Sequence, residues 1–152
     1  MATQPARTLK NAGQQWLLSC ALHPTDAQHA WDTEAFAEIP TGPHWRVAEA
    51  PLARSVEAIH RIGPDRLGPV LGDVYREVAW WLLPPHLADE LDDVRPITVH
   101  PAEWVLKFPP VQRSLAGRWW IEDPDGSGRL TDPLLLGAAL GPGSRPPPEA
   151  SG

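Results

Sequence analysis

Apolar positions recur every three or four residues in four stretches of the chain and every second residue in several others. From Leu9 to Leu22, the residues Ala12, Trp16, Leu17, Cys20 and Ala21 share one helical face, and His23-Pro24 ends that helix because the residue before proline leaves the helical region. Thr25 or Asp26 can cap a second helix with Ala27, Ala30, Trp31 and Ala35 inward; the segment Pro40 to Pro43 then reads as a loop. Residues 44–50 form a short strand. Pro51 suits the first turn of a third helix, with Leu52, Val56, Ile59 and Ile62 as its inner stripe, stopped at Gly63-Pro64. Residues 69–73 and 76–84 read as two strands of a hairpin turning at Asp73-Val74-Tyr75. Residues 86–94 give one or two helical turns, and 97–100, 103–109 and 118–123 are further strands. Asp123 to Gly126 is a turn, and Asp132-Pro133 opens a last helix with Leu134, Leu135, Ala138 and Ala139 inward. This order predicts an α+β domain over residues 9–140, a mostly antiparallel sheet with flanking helices. The ends, 1–8 and 141–152, have the composition of disordered tails.

The 152 residues suffice for one domain, and 42% hydrophobic with 21% charged residues is a soluble, globular balance. No apolar run reaches the roughly 18 residues of a membrane span, and the N-terminal stretch is too short and amphipathic for a signal peptide. A cytoplasmic protein is expected. The single cysteine, Cys20, excludes an internal disulfide and a multi-cysteine metal site; on an apolar helix face it reads as an inert thiol. The net charge of −6 argues against a surface that tracks phosphates, though it leaves room for a local basic cleft. The excess of Arg, Ala, Gly and Pro fits a GC-rich genome, whereas 8 Trp against 1 Tyr and 2 Phe demands burial area and partners for the indole N–H groups.

Trp80-Trp81 and Trp119-Trp120 are adjacent pairs on strands, so the members of each pair point to opposite faces. One of each enters the core; the other lies under the helices, stacks on bases or anchors an interface. Trp81, Trp119, Trp120 and Arg118 are therefore the candidate binding residues, with Arg113 and Arg129 as nearby cations. The acidic run Asp89, Glu90, Asp92, Asp93 reads as a solvated face, and residues 122–128 read as a turn. No phosphate-binding loop, zinc-protease motif, dinucleotide fingerprint or nucleophile elbow occurs.

The blocks WLLSCALHP, Trp31, LGPVLGDVYREVAWWLLPP, VHP, FPP, GRWWIEDP and LTDPLLLGAAL follow one another over residues 14–140. In that order and spacing the chain resembles the small actinobacterial proteins of the bifunctional DNA primase/polymerase N-terminal-like family. The resemblance implies a trimmed primase-polymerase (archaeo-eukaryotic primase-like) core, an RRM-like sheet whose carboxylates hold two divalent metals about 4 Å apart. It also implies a histidine that contacts nucleotide phosphates, matched by Thr98-Val99-His100, and acids on two strands. Here Arg46 stands where the first acid belongs, with Glu49 nearby, and Glu103 is the remaining acid. His100 reads equally as a strand-end histidine with one backbone partner, and Asp73 as a hairpin aspartate. These departures point to a domain without catalysis that binds a protein partner or a nucleotide, with no cofactor and no metal. The alternatives are a nucleotidyl transferase using Glu49, Glu103 and His100 with Mg or Mn, and a structural module that binds another protein or itself.

Overall fold

A computed structural model of the chain describes residues 4–141, with side chains from Leu9 onward. It is the α+β domain with a mostly antiparallel sheet that the pattern predicts. Two helices, α1 (Gln4–Ser19) and α2 (Pro24–Asp32), lead into β1 (Ala37–Pro40) and β2 (Arg46–Pro51). Next come α3 (Leu52–Ile62), a 3-10 turn (Pro64–Arg66), β3 (Val70–Asp73) and β4 (Val78–Leu83). The chain continues through β5 (Thr98–Val99), β6 (Val105–Phe108), β7 (Arg118–Glu122) and α4 (Pro133–Leu140). Five strands form one antiparallel sheet in the order β5-β2-β4-β3-β7, and β1 and β6 form a separate antiparallel ribbon. The unit β2-α3-β3 leaves room for β4 to slot between its two strands, with β5 on the far side of β2, a split β-α-β arrangement.

The central strand β4 explains the layering. Its residues alternate between two apolar cores: Trp80 and Leu82 face α1, α2 and the ribbon, while Ala79, Trp81 and Leu83 face α3, α4 and the segment 84–97. A strand covered on both faces is apolar at every position, as VAWWLL is. Trp81 sets the face of α3. Its indole N–H needs an acceptor and finds Ser55 Oγ at 3.0 Å, so the small residues Ser55 and Ala58 turn inward and Val56 outward. The expected stripe is thus rotated: Leu52, Ile59 and Ile62 flank the core, but Val56 does not reach it. Gly63, at φ 90°, ends the helix in a conformation that favours glycine.

Other boundaries differ for local reasons. α1 begins at Gln4, so residues 4–8 belong to a helix rather than a tail; residues 1–3 and 142–152 lie outside the described residues. α2 starts one residue before the expected caps, with Pro24 in its first turn. α2 ends at Asp32 and Ala35 is exposed rather than inward; before the loop at Pro40, where the pattern assigns no strand, β1 pairs Ala37 with Phe108 and Ile39 with Leu106, and its terminal proline is tolerated on an edge. Residues 86–94 form linked turns, not a helix. Each turn closes on a bond from residue i+3, as Leu87 N–H to Pro84 and Val94 N–H to Leu91, while Leu87, Leu91 and Val94 enter the core. In α4, Asp132 caps the helix by accepting the Leu134 N–H at 2.9 Å. Its sequence is apolar all round, so periodicity could not choose a face; Leu136, Ala139 and Leu140 are inward and Leu134 is 65% exposed. Among the described residues no helix is long and apolar enough to cross a membrane.

Candidate functional site

The sheet face toward α1 and the ribbon carries a continuous polar chain. Glu49 on β2 lies opposite Trp80 on β4 and Thr98 on β5. Its Oε1 accepts the Trp80 indole N–H at 3.0 Å and lies 2.9 Å from His100 Nε2. The His100 ring stacks on Trp104, 3.6 Å between centroids and 4° from parallel. Thr41 fixes that arm: its Oγ1 donates to Pro101 C=O, its N–H donates to Trp104 C=O, and its own C=O accepts from Glu103 N–H.

On the other side of Trp80 the Arg118 guanidinium lies 4.4 Å above the indole. Its Nε and Nη2 both donate to Asp73 Oδ2, at 3.1 and 2.9 Å, and Nη1 donates to Lys107 C=O at 2.8 Å. Asp73 Oδ1 accepts the N–H groups of Tyr75 and Arg76, which shapes the hairpin turn. Burial pushes the Asp73 carboxyl up, but the Arg76 N–H, the Arg118 guanidinium and the Tyr75 N–H outweigh it and hold the group below its ordinary value.

The structure thus joins Glu49 and His100, 51 positions apart, and leaves Glu103 out. Glu103 is exposed, takes a left-handed conformation at φ 74° and makes no side-chain bond among the described residues. Among those residues no three His, Cys, Asp or Glu side chains gather as a metal site. The donors present do not fit a two-metal centre: one Glu49 oxygen is shared by two N–H groups, and Asp73 is clamped by a guanidinium. Arg46 does not oppose a metal position either. It lies on the strand face opposite Glu49 and donates from Nη2 to His100 C=O at 2.9 Å, with Nε buried and without a partner among the described residues.

The four candidate binding residues part company. Trp81 is fully buried on Ser55, and Trp120 is 7% exposed, stacked on Phe108 with its indole N–H toward Pro109 C=O. Arg118 is buried in the ion pair just described. These three are core residues, not surface anchors. Only Trp119 of the four is partly exposed, and its side chain makes no hydrogen bond among the described residues. It lines a groove of about 510 Å³ between β7 and the segment 111–114, whose polar lining includes Lys10, Asp123, Arg113 and Ser114. Val74, 49% exposed, also lines it, and Tyr75, 80% exposed, lies against Gly117 at its edge. Sequence reasoning missed Lys10, Ser114 and Tyr75 here, and Trp104 at His100. No local signal marked the turn at Ala116-Gly117 ahead of β7, since alanine is not among the residues that favour the positive φ it takes there.

No family model, no curated protein and no solved structure matches this chain.

Proposed function

We propose that the chain is a cytoplasmic primase-polymerase-like domain that has lost catalysis and acts by binding a protein partner. The strand order β5-β2-β4-β3 around the β2-α3-β3 crossover supports the RRM-like reading, as an analogy of fold alone. The observation that carries the loss of catalysis is the employment of two of the sheet's carboxylates, Glu49 and Asp73. Glu49 serves Trp80 and His100, and Asp73 serves Arg118 and the hairpin, so each acid holds strands together.

A protein is favoured over a nucleotide by the groove beside β7. Its lining carries two cations, Lys10 and Arg113, against one acid, Asp123. That excess is thin for a polyphosphate and enough for one acidic side chain. Tyr75 and Val74 place exposed apolar surface next to it, as interface anchors do.

Thermal unfolding with and without Mn²⁺ and a nucleoside triphosphate tests the reading. A bound ligand at about 100 times its Kd stabilises by roughly 2.7 kcal/mol, a shift of several degrees in a domain of this size. No shift is expected. A shift that needs both metal and nucleotide overturns the proposal and revives the transferase built on Glu49, His100 and Glu103.

A further inference from the structure

The groove beside β7 is an interrupted β-ladder. Leu115 and Arg118 exchange both backbone hydrogen bonds, each at 2.9 Å, across the turn Ala116-Gly117, whose φ angles of 51° and 81° are those of a tight two-residue hairpin. A hairpin closed in this way would next set Arg113 opposite Trp120. It does not, because the arm is drawn elsewhere. Arg113 Nη2 donates to Trp31 C=O at 2.7 Å and to Glu34 at 3.2 Å, and the Val111 N–H donates to Gln14 Oε1 at 3.1 Å. The arm is thereby tied to α1 and to the end of α2, and the pairing stops after one bridge.

β7 is also the last strand of its sheet, paired with β3 alone. Along a strand, alternate residues turn their N–H and C=O to the same side. Those of Arg118 point to Leu115, and the Gly117 C=O accepts the Val74 N–H on the β3 side. The N–H and C=O of Trp120 therefore point away from β3, into the space the arm has left, and the irregularity between Trp120 and Glu122 ends the regular alternation there. The surfaces around that space are a backbone donor and acceptor, the partly exposed Trp119, and the half-exposed Lys10 and Arg113. Both cations sit in surface ion pairs of the kind worth at most about 1 kcal/mol, so an incoming carboxylate can share them.

We propose that an extended segment of a partner protein carrying an acidic side chain adds to the outer edge of β7, taking the ladder position opposite Trp120 that Arg113 vacates. The inference rests on the protein-binding reading above and adds its mode, main-chain pairing, and its charge preference. Backbone pairing gives the affinity, the carboxylate between Lys10 and Arg113 gives the register, and Trp119 receives an alternate side chain.

The test is a positional-scanning library of end-capped pentapeptides offered to the full chain and to Ser114→Trp, which fills the groove from an exposed position that makes no hydrogen bond. The best peptide is then resynthesised with a single N-methyl group at each position in turn. The expected result is enrichment of Asp or Glu, loss of binding to Ser114→Trp, and an affinity loss of about tenfold at the one N-methyl position whose N–H would pair with Trp120. Amide exchange at Trp120 slows when the peptide binds. If N-methylation is harmless at every position while Ser114→Trp still blocks binding, strand addition is wrong and the binding reading survives. Enrichment of Lys or Arg overturns the charge preference. If no peptide is retained, or Ser114→Trp, checked for an unchanged unfolding midpoint, retains the same ones, both the strand-addition proposal and the groove reading fall.

Discussion

Replacing Asp73 by alanine should cost this domain a large part of its stability. Asp73 and Arg118 have side chains 6% and 9% exposed, and the guanidinium reaches the carboxylate through two N–H groups. Breaking such a pair from one side costs about 3–5 kcal/mol, because the remaining charge stays buried without its partner. In Asp73→Ala the orphan is Arg118, which keeps only Lys107 C=O and the faces of Trp80 and Phe36. The N–H groups of Tyr75 and Arg76 are released onto an exposed turn, where water replaces the carboxylate, so they add little. Arg118→Met strands the carboxylate and should cost about as much. The double variant Asp73→Ala/Arg118→Met leaves neither charge buried and should recover most of the loss. Its cost should fall below the sum of the singles by at least about 2 kcal/mol.

Urea unfolding at pH 7 reads all three values. At roughly 2–4 °C per kcal/mol for a chain of this length, each single variant should also melt about 10 °C lower. A pH series adds an independent arm. The folded Asp73 carboxyl ionises more readily than its unfolded counterpart. Its contribution is therefore complete above the unfolded value of about 3.9 and is lost as the pH falls through the lower, folded value. The gap between the wild-type chain and Asp73→Ala should narrow only in that acid range. Singles that cost under about 1 kcal/mol, or effects that add within about 0.5 kcal/mol, would refute the view of Arg118 as a buried brace and return it to the candidates for ligand binding.

Two further outcomes follow from local geometry. Gly13 on α1 lies against the loop after β7, where an added Cβ would stand 1.8 Å from Pro124 O; Gly13→Ala should destabilise by about 2 kcal/mol or more, measured by urea unfolding, because rigid backbone must move. Burial, then the charges of Asp123 and Asp125, raise the Glu122 carboxyl above its ordinary value, so its ionisation works against folding; Glu122→Gln should raise Tm at pH 7 and lose that advantage as the pH falls through the raised, folded value to the unfolded value of about 4.3.

The sequence made the sheet legible where burial is two-sided or strictly alternating. The unbroken run VAWWLL identified a strand, whose central place only the structure shows, and the Trp pairs announced that their members would point to opposite faces. It did not show which Trp faced which way, since parity along a doubly buried strand is symmetric; Trp80, not Trp81, proved to be the one beside Glu49. β1 escaped because its alternation lasts only from Ala37 to Ile39 before a proline, and its partners lie 65 or more positions away. The pairing of Glu49 with His100 depends on the register of a two-residue strand, which no local pattern can fix. The groove was hidden for a different reason. Ala116-Gly117 carries no hairpin signature, and only the distant partners of Arg113 and Val111 show why the ladder stops at Leu115 and Arg118.

These failures of local reasoning share a physical origin that bears on function. The polar chain from His100 through Glu49 and Trp80 to Arg118 and Asp73 touches β2, β4, β7 and β3 and the residue that follows β5. A face used in this way is a brace. Both hydrogen bonds of Glu49 fall on Oε1, so moving that oxygen to a ligand would leave the Trp80 N–H without its acceptor. The outer edge of β7 carries no such obligation, since Trp119 and the outward backbone of Trp120 do not hold the brace together. Binding can evolve there without disturbing the sheet, and it is at that edge, not on the face where the carboxylates lie, that the molecule presents a groove lined by donors, an acceptor and an aromatic ring.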